Sequence, residues 1–187
     1  MAQAKSGLEN YNFLSQYENY VWMPIMHYQS KKGMYAELRY NYEDLNTISL
    51  YGGKTFEGGK NLQFAITPML GVSIGNFKGV SLATNTELDW KNIYLSSQTQ
   101  YSFSTINAEA DFFFTWSELA YNISRKVFAG LALQFTRQQG INDAEPGFVA
   151  GLNIKNTSIP FYAFSPFGKK KYFIIGINYE FNINDKR

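Results

Sequence analysis

The sequence predicts an all-β protein: a transmembrane, antiparallel, up-and-down β-barrel of about twelve strands, with about ten as the alternative. Two observations support this fold class. Apolar and polar side chains alternate at the period of a strand, and the alternation recurs almost to the end of the chain in segments of roughly 9 to 11 residues, the length that crosses a bilayer. Aromatic residues make up 18% of the 187 residues, which suits a barrel with aromatic belts at both membrane interfaces.

The clearest alternation lies in residues 34–43, MYAELRYNYE. One face of this segment holds Met34, Ala36, Leu38, Tyr40 and Tyr42, and the other face carries the charged residues. The same alternation in later segments predicts which side chains contact lipid. The predicted lipid-facing residues are Leu38, Leu62, Phe64, Ile66, Leu70, Val72, Leu131, Leu133, Ile175 and Ile177.

The opposite faces of the predicted strands place charged side chains in the lumen. These lumen-facing residues are Glu37, Arg39, Glu43, Glu87, Asp89, Glu118, Lys155 and Glu180. In a narrow barrel, opposite charges can pair across the lumen and plug it, because unpaired charges in a low dielectric are costly. The alternative is a small pore whose excess of carboxylates favours cations.

The number of strands depends on two weak segments. The pattern defines about eleven segments, whereas a bacterial barrel of this kind has an even number of strands. Either residues 8–16 supply a further strand, or residues 159–167 do not span the membrane. We therefore expect a leader or a partial first strand in residues 1–17, and the barrel in residues 18–187. Ala2-Gln3-Ala4 is similar to the end of a signal-peptidase site, which predicts that a signal peptide has been removed.

Composition excludes several other classes of protein. The mean hydropathy is −0.29 and the sequence has no run of about 20 apolar residues, so no membrane helix is expected. The absence of cysteine rules out disulfides and thiolate metal sites. A net charge of +2, without a basic helix, gives no reason to expect nucleic acid as a partner. The lysines and arginines gather in connections, where they can meet lipid phosphates.

The last predicted strand carries a family resemblance. Phe173, Ile175, Ile177, Tyr179 and Phe181 resemble the amphipathic, aromatic-ended closing strand of Gram-negative outer-membrane β-barrel proteins. The six residues after Phe181 depart from that pattern, because many such proteins end at the final aromatic residue. The resemblance implies a location in the cell outer membrane, with the lipid bilayer and lipopolysaccharide as partners, and implies no activity.

The sequence contains no residue pattern that predicts a catalytic site or a metal site. The deacylases among outer-membrane barrels have a histidine and a serine two residues apart on the same face of a strand. The single histidine of this sequence, His27, has no serine at that spacing. One histidine, no cysteine and no Asp-rich loop predict no metal and no cofactor.

We therefore expect a non-enzymatic barrel, either a narrow pore with an acidic lumen or an accessory subunit of a larger outer-membrane assembly. The short connections favour these roles over that of a surface receptor. The alternatives are an outer-membrane lipid hydrolase and a soluble, lipocalin-like binding barrel.

Overall fold

The computed structural model describes residues 4–15, 19–168 and 170–183, and most of them lie in strands. No helix in these residues is long and apolar enough to cross a membrane. The strands are β1 (Ala4–Ser15), β2 (Val21–Gln29), β3 (Met34–Tyr40), β4 (Ile48–Lys54), β5 (Phe56–Gly58), β6 (Leu62–Ile74), β7 (Gly79–Trp90), β8 (Ile93–Ser104), β9 (Phe112–Asn122), β10 (Val127–Gln138), β11 (Ile141–Ile154), β12 (Thr157–Phe164) and β13 (Tyr172–Ile183).

The strands form one closed antiparallel barrel. Strands that are neighbours in sequence pair with each other, except β4 and β5, which both pair with β6, and β1 pairs with β13. Because β4 and β5 are separated only by Thr55, they occupy one place in the wall. The barrel therefore has twelve strands, which confirms the predicted fold class and the larger of the two strand numbers.

The first strand, which the sequence left open, belongs to the barrel wall. β1 pairs with β13 along its whole length and with β2 on its other side. The weak segment near the C-terminus also forms a strand, β12, between β11 and β13. Residues 1–3, which include most of the possible signal-peptidase site, lie outside the described residues.

The two ends of the barrel differ in their connections. Ala4 and Ile183 lie at one end, here called the terminal end, together with tight turns such as Lys91–Asn92. The opposite end, here called the loop end, carries longer connections, including residues 41–47 and 105–111. In outer-membrane barrels the short turns face the periplasm and the longer loops face outward.

Residues with a positive φ shape two of the connections at the loop end. β10 and β11 are joined by a tight turn at Gln139 and Gly140, whose φ angles of 52° and 76° suit a two-residue hairpin. β3 ends at Tyr40 rather than continuing to residue 43. Asn41 has a φ of 57°, so the chain leaves the strand and residues 42 and 43 fold into the lumen.

The outer wall is apolar. The ten residues predicted to face lipid all lie on it, with exposed fractions between 37% and 67%. Their neighbours along the strands point inward, so that Leu38 is exposed while Glu37 and Arg39 are buried.

Candidate functional site

A cavity of about 670 Å³ occupies the part of the lumen near the terminal end. Residues from the ends of several strands line it, including Lys5 near the start of β1 and Asn122 at the end of β9. Its acidic residues come from five different strands: Glu9, Glu57, Glu87, Glu118 and Glu180. Lys5 and His27 are the basic side chains among its lining residues.

Two of these carboxylates neighbour the basic residues at the mouth of the cavity. Lys5 Nζ lies 3.4 Å from Glu57 Oε1, and Gln29 Nε2 donates to the same oxygen at 2.6 Å. His27 Nε2 lies 2.9 Å from Glu180 Oε1, while the side chain of Glu180 remains 55% exposed. Both carboxylates therefore stay in contact with water as well as with a base.

The deeper carboxylates are held by hydroxyl groups. Tyr11 donates to Glu9 at 2.9 Å, and Tyr162 and Ser96 donate to Glu118 at 3.1 and 3.3 Å. Glu87 differs from them, because it is exposed to the cavity and makes no hydrogen bond or ion pair with another described residue. Its charge is therefore available to a solute in the cavity.

A buried arginine lies beyond the cavity, toward the loop end. Arg39 is 1% exposed, its Nε donates to Glu37, and its Nη1 donates to Gln100 at 2.7 Å. Nη1 also lies 3.7 Å from Glu43 Oε1. The guanidinium carbon lies 4.3 Å from the ring centroid of Tyr42 and 4.2 Å from that of Tyr51. We call this group the Arg39 cage; it consists of Glu37, Arg39, Tyr42, Glu43, Tyr51 and Gln100.

Further hydrogen bonds fix the carboxylates of the Arg39 cage. Tyr35 and Asn85 donate to Glu37 at 2.5 and 3.2 Å. Tyr51 donates to Glu43 at 2.7 Å, and Ser49 donates to it as well. Every charged group in the cage therefore has several partners, as buried charges require.

Aromatic and aliphatic side chains fill the opposite side of the lumen. Trp116 packs against Tyr11 and Tyr162, with ring centroids 5.1 and 5.2 Å apart. Tyr42 of the Arg39 cage meets this aromatic group at Phe114, where the centroids are 5.7 Å apart. Because the side chains at this level are almost fully buried, the lumen is narrow here.

The predicted lumen residues fall into three groups. Glu37, Arg39 and Glu43 meet in the Arg39 cage, and the cavity contains Glu87, Glu118 and Glu180. Asp89 and Lys155 form the third group, which lies outside both the Arg39 cage and the cavity lining. Asp89 is exposed, one residue before the end of β7 and outside the cavity lining. Lys155 lies in a turn with a φ of 55°, because β11 already ends at Ile154.

The sequence reasoning missed several residues of the site. Glu9 shares an inward face with Gly7 and Tyr11, but β1 was too polar to be assigned as a strand. Glu57 lies in β5, a strand of three residues, which is too short to show an alternation in the sequence. His27 was weighed only as a catalytic base, whereas it lies between two glutamates, with Nδ1 3.4 Å from Glu9.

Comparisons with known proteins give the fold. No protein-family profile and no curated protein sequence matches the chain. Among solved structures, the KdgM porin matches with a TM-score of 0.70 at 10% identity, covering 94% of this chain and 99% of that one. The NanC porin matches with a TM-score of 0.62 at 9% identity, covering 92% and 98%. OccAB4 of Acinetobacter baumannii matches with a TM-score of 0.54 at 9% identity, covering 98% and 63%.

The chain therefore has a porin-like fold. Together with the apolar outer wall, this fold confirms the prediction of a small outer-membrane β-barrel. Both solved structures are described as porins, and at 9% to 10% identity the likeness of this chain to them is a likeness of fold. Within the described residues, no three His, Asp or Glu side chains are grouped closely enough to hold a metal ion.

Proposed function

We propose that the protein is a narrow, cation-selective pore of the outer membrane. The observation that carries this proposal is the lining of the cavity, in which five glutamates face Lys5 and His27. Carboxylates that line a narrow passage with low-dielectric walls concentrate cations and repel anions. Glu87 contributes most directly, because its carboxylate has no partner among the described residues.

The distribution of the carboxylates favours a hydrated or organic cation over a chelated metal ion. The glutamates come from five strands around the lumen rather than from one cluster. A divalent metal ion needs several oxygen ligands that converge at about 2.0 to 2.6 Å. A diffuse negative field instead attracts any cation that fits the passage.

The charge of the lumen argues against one class of solute. The KdgM porin has been solved in complex with disordered oligogalacturonate. Oligogalacturonate is a polyanion, and the acidic cavity of this chain would repel it. We therefore expect this protein to differ from KdgM in charge selectivity despite the shared fold.

The outer wall meets the membrane in this proposal. The exposed apolar residues on the strands contact the acyl chains, and lysines in the connections of the terminal end, such as Lys91, contact lipid phosphates. Trp90 and Tyr121 lie at strand ends, where aromatic side chains form the interfacial belt.

The test is the charge selectivity of the purified protein in planar bilayers, measured as the reversal potential in a KCl gradient. We expect cation preference, and we expect Glu87→Gln to reduce it. Asp89→Asn is the matched control, because it removes the same charge from the same strand but outside the cavity lining. Anion preference, or equal effects of the two substitutions, would contradict the proposal.

A second candidate is an accessory subunit that docks sideways to a larger outer-membrane assembly. It is favoured by two rows of hydroxyl groups at mid-height on the outward face of β7, β8 and β9. The rows are Thr86, Ser97 and Ser117, and Thr84, Thr99 and Thr115. Because the chain has no cysteine, Ser97→Cys gives a single cross-linking site. Cross-links to one larger barrel, in a protein without conductance, would support this role over the pore.

A further inference from the structure

The Arg39 cage is built around one kind of cation. A planar guanidinium lies against the rings of Tyr42 and Tyr51, with carboxylates on Glu37 and Glu43 and the amide oxygen of Gln100 around it. Guanidinium groups stack on aromatic rings and direct several donors in a fixed plane, whereas an ammonium is a compact point charge. The arrangement thus matches a guanidinium better than an ammonium.

The Arg39 cage adjoins the cavity directly. Tyr35 and Asn85 line the cavity and donate to Glu37, and Gln98 lines the cavity and accepts from Tyr42 at 2.7 Å. A cation that enters the acidic cavity therefore reaches the cage without crossing an apolar layer.

Two of the six residues of the Arg39 cage belong to a connection rather than to the wall. Tyr42 and Glu43 lie in residues 41–47, while Glu37, Arg39, Tyr51 and Gln100 lie on strands. This connection is held to the wall by a few hydrogen bonds, including Asn41 Nδ2 to the Trp22 carbonyl at 2.9 Å. A shift of residues 41–47 would separate Tyr42 and Glu43 from the four cage residues on the strands.

We propose that the Arg39 cage is a recognition site for solutes that carry a guanidinium group, and that Arg39 occupies the place that such a solute takes during passage. This inference rests on the proposed pore and names its substrate class. In the resting protein the site is filled by the chain's own guanidinium, which narrows the charged side of the lumen without sealing it to K⁺. A guanidinium solute exchanges with Arg39, whereas other cations pass beside the occupied site.

The experiment uses Arg39→Ala in planar bilayers, with methylguanidinium and methylammonium as probes. The two probes carry the same charge and differ in their cationic group. We expect Arg39→Ala to conduct better than the unmodified protein. Methylguanidinium should lower that conductance by about twofold at its dissociation constant, because half of the vacated sites are then filled. Methylammonium at the same concentration should have little effect.

Two control variants distinguish binding of the probe in the Arg39 cage from an effect of the overall charge of the lumen. Lys5→Ala removes a cation from the cavity mouth and should not create sensitivity to methylguanidinium. Arg39→Lys keeps the charge but loses the planar group, so it should conduct and remain sensitive to the probe. Equal block by the two probes, or the same block in Lys5→Ala, would overturn the inference.

A second variant keeps the test decisive if Arg39→Ala does not fold. Tyr42→Leu removes one ring of the cage and leaves the ion pairs in place. It should reduce the permeability to methylguanidinium relative to methylammonium, and an unchanged ratio would overturn the inference. The proposed pore fails separately, if the unmodified protein shows no preference for K⁺ over Cl⁻.

Discussion

The substitution Leu70→Arg tests whether the apolar wall faces lipid. Leu70 lies in β6, which spans Leu62–Ile74 and is centred on Pro68. Each residue advances about 2.6 Å along the barrel axis, because strands rise about 3.4 Å per residue and tilt by about 40°. Leu70 is therefore about 5 Å from the middle of β6, well inside an apolar band about 25 Å tall.

The expected cost of Leu70→Arg follows from this depth. An arginine on the lipid face near the midplane destabilises a barrel by about 2 to 4 kcal/mol, and the cost falls to about 0 to 1 kcal/mol near the interface. Leu70 is 67% exposed, so its replacement removes little packing within the protein. Most of the loss in stability should therefore come from placing a charged side chain in the apolar part of the membrane. Ile74→Arg is the matched control, because Ile74 is 71% exposed on the same strand but lies about 16 Å from its centre.

The measurement is the free energy of unfolding from lipid vesicles in urea, followed by tryptophan fluorescence. We expect Leu70→Arg to lower it by about 2 to 4 kcal/mol and Ile74→Arg by about 1 kcal/mol or less. Equal costs at the two positions would refute the assignment of this wall to lipid. Solubility of the unmodified protein as a monomer without detergent would refute it as well.

Two further predictions concern the interior of the barrel. Gly71→Ala should destabilise the protein by about 1 to 3 kcal/mol, because the added methyl group would meet the ring of Tyr51, whereas Gly52→Ala meets open space and should be neutral or stabilising. Denaturant unfolding of the two variants gives the comparison, and a Gly71→Ala as stable as Gly52→Ala would contradict it. A variant that keeps only Trp116 should resist fluorescence quenching by brominated lipid, while a variant that keeps only Trp90 should be quenched, because their exposed fractions are 6% and 46%. Quenching of Trp116 would place it outside the lumen.

The strands could be predicted from the sequence because one physical rule controls most of the wall. A side chain on a spanning strand faces either lipid or the lumen, so the alternation in β6 and β13 identifies both faces. The rule fails where the chain leaves the strand. The alternation placed Tyr42 on the lipid side with Tyr40, but the positive φ of Asn41 carries Tyr42 inward.

The candidate site was predicted less completely, because it depends on which inward residues meet across the lumen. The sequence identified Glu37, Arg39 and Glu43 as inward, yet no periodicity indicates that Tyr51 and Gln100 come from β4 and β8 to the same guanidinium. Those contacts depend on the closure and the stagger of the strands, which are properties of the whole barrel.

One side of the lumen is apolar and the other is charged, and this difference suggests why the charged side chains of the Arg39 cage are present. Around Trp116 the lumen is filled by aromatic and aliphatic side chains, so this barrel can close its interior without charges. Burying an ion pair costs several kcal/mol per ion before pairing, and replacing such a pair by apolar residues is often neutral or stabilising. Stability alone therefore does not explain the Arg39 cage or the acidic cavity beside it. The proposed role in admitting cations would account for both, because a lumen filled entirely by aromatic groups would offer a cation no favourable place on its way through.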